Sequence, residues 1–315
     1  MVTRKLIERV TARVFCHGPG GGNPVTVFAS DVALSAQKKE RLAKECEWES
    51  VMVSSSKDEK APEMAFYMPS GEEVSFCAHA ALGGAYAISQ DDAIDDFTFQ
   101  TRMTKETQHV KLSKESDGLA RLNMKTHFEE ASVTHSPALQ RLLREQLGVT
   151  SQSLRPTGGI RLPTFCNSSI ARPKTLVYVN SVDALHEAKT PSTSGKMRNS
   201  FASACGAIDD STGIYLYTMK DLDGQDPVFE CRQFPKASGY PEDPATGIAA
   251  AALSASLYHQ GVYMDVYNCY QGTAMGRPSL IQVVGMRKDG DNLLFGLQGL
   301  VEIDDRDTIE LEEDF

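Results

Sequence analysis

Three side chains in this sequence are of a type and setting suited to moving protons: His79, Asp243 and Glu49. His79 falls in the first turn of an apolar segment. Asp243 precedes Pro244 at the start of another, and Glu49 introduces a short apolar run. Imidazole and carboxylate groups are the usual general acids and bases, provided that their surroundings tune them toward neutral pH. Each has a plainer reading as well: a satisfied core histidine, a helix cap and a solvated carboxylate. Cys77 adds a thiol close to a predicted helix start, where a lowered pKa makes a thiolate base available, although most buried cysteines are inert.

The elements that carry these groups are legible in the pattern. Residues 76–88 and 243–258 are both rich in alanine and apolar all round, so each predicts an enclosed helix. Asp243 followed by Pro244 reads as N-cap and first helical residue, and Ser75 as the cap of the other helix. The stretch Phe66-Tyr-Met-Pro-Ser-Gly leads into the first helix and Arg232-Gln-Phe-Pro-Lys-Ala into the second. One design of strand, proline, loop and enclosed helix therefore occurs twice, which points to an internal duplication.

Strand-like runs surround each helix. They lie at 6–15, 25–28, 51–54, 65–68, 97–101, 107–112 and 119–124 in the first half, and at 175–179, 214–218, 229–234, 266–270, 279–286 and 293–298 in the second. A lysine- and glutamate-rich helix is expected over 35–46 with Ser35 as its cap. Each half is thus α+β, and a helix with no exposed face requires its sheet to curl around it. The first half is expected to run from 1 to 128 and the second from 129 to 299. If the halves face each other, two helix N-termini converge on a cleft that suits the carboxylate of a small acid.

The glycine-rich run His17-Gly-Pro-Gly-Gly-Gly-Asn-Pro24 lacks the Gly-Lys-Ser/Thr ending of a phosphate loop and reads as a turn between strands. The net charge of the 315 residues is −10. Residues 302–315 hold −7 of it, leaving a nearly neutral body. No clustered Lys/Arg footprint exists for nucleic acid or an anionic membrane surface, so a small molecule is the expected partner. Seven widely spaced cysteines without a CxxC pair argue against a disulfide framework or zinc site and for a reducing compartment. The beginning of the sequence lacks a signal-peptide core and no segment spans a bilayer, so a cytoplasmic location is expected.

Five pieces together resemble the PhzF family of phenazine-biosynthesis isomerases, a branch of the diaminopimelate-epimerase-like fold. They are Gly22-Asn-Pro-Val-Thr-Val-Phe28, Glu47-Trp-Glu-Ser-Val-Met-Val53, Phe76-Cys-Ala-His-Ala-Ala-Leu-Gly83, Gly239-Tyr-Pro-Glu-Asp-Pro-Ala-Thr-Gly247 and Gln271-Gly-Thr-Ala-Met-Gly-Arg-Pro-Ser279. The resemblance implies two pseudo-symmetric halves, each a curled sheet around a central helix, with residues after about 300 returning to the first half and a homodimer as the assembly. It implies a cofactor-free, metal-free proton shift in which a glutamate, here Glu49, takes a proton beside an alkene and returns one elsewhere. His79 and Asp243 would orient amine and hydroxyl groups and relay protons. Asn23, Ala78, Thr246, Gly247 and Ile248 would line the acid's site.

Two positions depart from the family pattern: Ala78 stands where a glycine is usual, and Ile248 where a serine is usual. The second removes a hydrogen bond to a carboxylate worth ~1.5 to 3 kcal/mol, so a different substrate is expected. Two other readings stay open: a racemase or epimerase using Cys77 against Asp243, and a non-catalytic metabolite binder. Arg161, Arg232 and Arg277 could meet an acid or pair with neighbouring carboxylates, and are left outside the site.

Overall fold

The computed structural model describes residues 4–31, 34–54, 61–89, 96–113, 118–155, 165–192, 195–220, 227–236, 238 and 240–312. Its elements run β1 (Arg4–Cys16), β2 (Asn23–Ser30), α1 (Ala36–Lys44), β3 (Ser50–Ser54), β4 (Glu63–Tyr67), β5 (Glu73–Val74), α2 (Ala78–Ser89), β6 (Asp96–Thr101), β7 (Thr107–Leu112) and β8 (Leu119–His127). Then follow β9 (Glu129–Ser132), α3 (Pro137–Glu145), β10 (Phe165–Ser169), β11 (Lys174–Tyr178), α4 (Val182–His186), α5 (Gly195–Gly206), β12 (Gly213–Lys220), β13 (Val228–Pro235), α6 (Gly247–His259), β14 (Val266–Gln271), β15 (Ser279–Asp289) and β16 (Asn292–Glu312). The chain divides into two compact units. The first contains the residues up to Cys16, Gly22–Asn123 and those from Gln298 on; the second contains His17–Gly21 and Met124–Leu297.

In the first unit β1 runs antiparallel to β2, β2 is parallel to β3, β3 antiparallel to β4, β4 parallel to β6, and β6 antiparallel to β7. The second unit repeats this order. There β10 is antiparallel to β11, β11 parallel to β12, β12 antiparallel to β13, β13 parallel to β14, and β14 antiparallel to β15. Helix α2 lies between β4 and β6 in sequence as α6 lies between β13 and β14, so the duplicated design extends to strand pairing. Residues Leu300–Glu312 of β16 pair antiparallel with β1.

Both central helices are enclosed because their sequences offer no polar face. Helix α2 packs on β1, β2, β3 and β7, and α6 on β10, β11 and β15. Gly83 and Gly84 bring α2 against its sheet: a Cβ on Gly83 would stand 2.6 Å from Val25 Cγ1, and one on Gly84 3.2 Å from Val51 Cγ1. Each glycine lowers intrinsic helix stability by about 1 kcal/mol relative to alanine, offset here by the closeness of the packing. In α6 the corresponding small residues Ala249–Ala252 are buried.

The opposite sheet faces are covered by further helices. Ser35 caps α1, its Oγ accepting from Lys38 N, and Leu42 and Ala43 pack on Ile7, Phe28, Met52, Ala65 and Tyr67. In the second unit Leu139, Leu142 and Leu143 of α3, Leu185 of α4 and Phe201 of α5 cover Val177, Ile214, Leu216 and Phe234. The glycine-rich run is a turn, with Gly18, Gly20 and Gly22 at φ +80°, +70° and +93°. Among the described residues no helix is long and apolar enough to cross a membrane.

Candidate active site

In the first unit the chemistry gathers where β3 and α2 begin. Glu49 immediately precedes β3, and its backbone carbonyl accepts from Thr26 N on β2 at 3.2 Å, which fixes it against the sheet. His79 is the second residue of α2. Both residues are 6% exposed, and Glu49 Oε2 stands 3.9 Å from His79 Nε2. The other ring nitrogen, Nδ1, lies 3.3 Å from Cys77 Sγ. Cys77, His79 and Glu49 therefore form a line of thiol, imidazole and carboxylate, the imidazole and carboxylate buried and the thiol half-buried, and burial strengthens the electrostatic coupling between Glu49 and His79. Asn23, the first residue of β2, is wholly buried, and Ala78 opens α2.

The start of α2 differs from the sequence expectation. The helix begins at Ala78, and the first carbonyl to accept a helical N–H is that of Cys77, from Ala81 at 2.9 Å, so Ser75 does not cap it. The thiol thus sits at the residue immediately before the helix.

In the second unit the site is a loop tied at both ends. Asp243 is not the cap of α6: the cap position is Thr246 and the helix begins at Gly247. A residue before proline is pushed out of the helical region toward extended backbone, and Asp243 accordingly forms an isolated antiparallel bridge with Gln233, its N–H donating to Gln233 O at 3.0 Å. Its carboxylate, in a residue 8% exposed, accepts from Thr246 Oγ1 at 2.7 Å and Ala245 N at 3.3 Å. Gln271, at the end of β14, donates from Nε2 to Asp243 O at 2.7 Å and accepts Thr246 N at Oε1, 3.2 Å. Gly272 follows at φ +79°, and a Cβ there would run into Arg277 O and Pro244 O. Ile248 sits in the first turn of α6, 6% exposed.

Residues without an assigned role in the sequence turn out to hold this loop. Arg232 is buried and meets Glu242, the neighbour of Asp243, through two parallel bonds, Nε to Oε1 at 2.8 Å and Nη2 to Oε2 at 2.7 Å. Its Nη1 donates to Leu185 O, His186 O and Ala188 O. Lys174 is buried, and that burial lowers its pKa to about 8; nearby Arg172 adds to the effect and Asp243 opposes it. Gly239 and Arg161 lie outside the described residues. Among the described residues no group of three or more His, Cys, Asp or Glu side chains could hold a metal ion.

A family model described as phenazine biosynthesis-like protein matches residues 12–293. An uncharacterized isomerase from Clostridium acetobutylicum is 24% identical over 268 residues, covering 83% of this chain and 84% of that protein. The crystal structure of a Bacillus anthracis phenazine biosynthesis protein of the PhzF family aligns at TM-score 0.79 and 19% identity over 97% of this chain and 99% of that one. A Pseudomonas aeruginosa protein described as a predicted epimerase aligns at TM-score 0.73 and 21% identity, over 96% and 99%. The fold is the α+β, diaminopimelate-epimerase-like one, two pseudo-symmetric halves each built on a sheet and its central helix.

Proposed function

The chain belongs to the phenazine biosynthesis-like protein family, and from that premise we propose that it is an isomerase that moves a proton on a small unsaturated amino or hydroxy carboxylic acid, with Glu49 as general acid and base. The observation that carries this reading is the buried Glu49 carboxylate 3.9 Å from His79 Nε2. Glu49 takes a proton from a carbon beside an alkene, the double bond shifts, and the same carboxyl returns a proton at the far end of the conjugated system. His79 is the group within reach to share the proton while Glu49 holds it. Asn23, Ala78, Thr246, Gly247 and Ile248 bind the acid, and Asp243 orients its amine or hydroxyl groups. The reading includes a homodimer working in the cytoplasm without cofactor or metal, and no nucleic-acid or membrane partner.

A second reading is favoured by the 3.3 Å contact between Cys77 Sγ and His79 Nδ1. There an imidazole-activated thiol at the head of α2 is the base of a racemase or epimerase. A chain that binds an acid without turning it over is the third.

The test is proton NMR of trans-2,3-dihydro-3-hydroxyanthranilic acid with the protein in D₂O, beside Glu49→Gln. Isomerisation or deuterium uptake with the wild type alone supports Glu49 as the base. Uptake that survives Glu49→Gln but is abolished by thiol alkylation moves the assignment to Cys77. A substrate left unchanged by both proteins removes the phenazine-type reaction.

A further inference from the structure

Three side chains of the second unit stand in one row across its sheet. Ser168 Oγ donates to Ala252 O of α6 at 2.9 Å, which marks the α6 side of β10. Lys174 lies opposite Ser168, and Leu176, two residues on, lies beside Tyr215. Tyr215 is opposite Gln233, and Gln233 is opposite Asp243. Directly paired residues share a face of the sheet, with Cβ atoms about 5 Å apart. Tyr215, Gln233 and Asp243 therefore form a continuous row on the side that faces α6, with Lys174 on the same side.

Beside Tyr215, whose buried hydroxyl also lacks a hydrogen-bond partner among the described residues, Gln233 stands out in this row. It is 0% exposed, yet neither its Oε1 nor its Nε2 has a hydrogen-bond partner among the described residues. Its Nε2 fills the place where a Cβ on Gly213 would stand, so the glycine at the head of β12 leaves room for the carboxamide along the sheet. A buried amide without partners is costly, and native proteins rarely keep one without a ligand or ordered water to answer it. An unneeded amide at this position would be replaced by an apolar side chain at no loss to the core.

We propose that Gln233 is a substrate-contacting, specificity-determining residue that reads a donor and an acceptor together on the bound acid, next to Asp243. Its N–H₂ donates to the oxygen of a hydroxyl beside the carboxylate, and its C=O accepts from a neighbouring amine or hydroxyl. The ligand class is thus an acid carrying an amino or hydroxy group near the carboxylate, rather than a plain unsaturated acid. Lys174, across from Gly213, adds positive charge on the same side. The inference rests on the reading that Asp243 contacts the acid, but it needs no turnover.

The experiment is calorimetric titration of wild type, Gln233→Leu and Gln233→Met with two probes, 3-hydroxyanthranilic acid and benzoic acid, together with the melting temperature of each protein. The wild type is expected to prefer the amino-hydroxy acid. Gln233→Leu and Gln233→Met are expected to cut that preference about tenfold, leave benzoate binding unchanged, and melt at or above the wild-type temperature, because no protein hydrogen bond is lost. An unchanged preference, which buried water alone would produce, overturns the proposal. So does a fall of several degrees in both variants, which would mean that the amide has partners within the fold, and so does failure of the wild type to bind either probe. Deuterium exchange by the wild type with no change of preference in the variants removes this inference and leaves the isomerase reading standing; the reverse pattern does the opposite.

Discussion

Arg232 and Glu242 close a two-pronged ion pair inside the second unit, each side chain about 5% exposed, with 2.7 Å between Nη2 and Oε2. The pair fastens the residue before Asp243 to the strand that carries Gln233, while the remaining guanidinium N–H groups hold the carbonyls that end α4. Removing one partner leaves the other charged and buried, which costs about 3 to 5 kcal/mol. Arg232→Met is therefore expected to lower unfolding free energy by that amount in urea titrations. Arg232→Lys, which keeps the charge but not the fork, is expected to lose less.

Gly272 links the candidate site to backbone geometry. Its φ of +79° is a left-handed conformation, and an added Cβ would meet the carbonyls of Arg277 and Pro244. Because both obstacles are main chain, neither can swing away. Gly272→Ala is expected to destabilise the protein by about 2 kcal/mol or more and to loosen the Gln271 clamp on Asp243 and Thr246. Urea unfolding measures the first, and faster amide exchange at Thr246 the second.

Lys174 gives a pH dependence whose sign can be worked out. Its pKa falls from 10.5 in the unfolded chain to about 8 in the folded one, chiefly through burial. Between those values the unfolded state binds more protons, so stability rises with pH there. Below about pH 8 the full penalty for a buried ammonium is present. Lys174→Met is expected to gain roughly 3 kcal/mol at pH 7 relative to wild type, a gain that fades toward pH 10.5. Urea titrations of both proteins at pH 7 and pH 10 check it, and an equal difference at the two values would refute it.

Cys77 separates two chemistries that share His79. If Glu49 is the base, Cys77→Ala is expected to hold kcat for deuterium exchange within about tenfold of wild type, whereas Glu49→Gln and His79→Ala lose far more. If the thiol is the base, Cys77→Ala loses the exchange while Glu49→Gln retains it. Cys16, by contrast, has its pKa pushed up to about 12 by burial, so mild alkylation should spare it.

Local composition was enough to find the two central helices, because residues 76–88 and 243–258 have no face that water could wet. It was enough for the cap of α1 at Ser35, for the turn at 17–24 and for most strands, whose apolar runs are short and bounded. It also pointed to the family, through motifs that survive as strings. Helix α3 carried a readable signal, Ser136 before Pro137 with leucines on one side. Short β10, with only Phe165 and Cys166 as apolar residues, carried almost none.

What a string cannot carry is which groups meet. Asp243-Pro244 has the local signature of a helix cap, yet a bridge to Gln233, ten residues back, takes the aspartate instead, overriding a local capping preference of about 0.5 to 2 kcal/mol. Arg232 looked like any strand arginine until burial gave it Glu242. The line from Cys77 through His79 to Glu49 joins residues up to 30 apart, and the row of Tyr215, Gln233 and Asp243 joins three segments. Sequence determined which chemical groups were available and which helices had to be enclosed, because both depend on residue type and near neighbours. Only the tertiary structure decided their partners, because burial and pairing are properties of segments brought together from far along the chain.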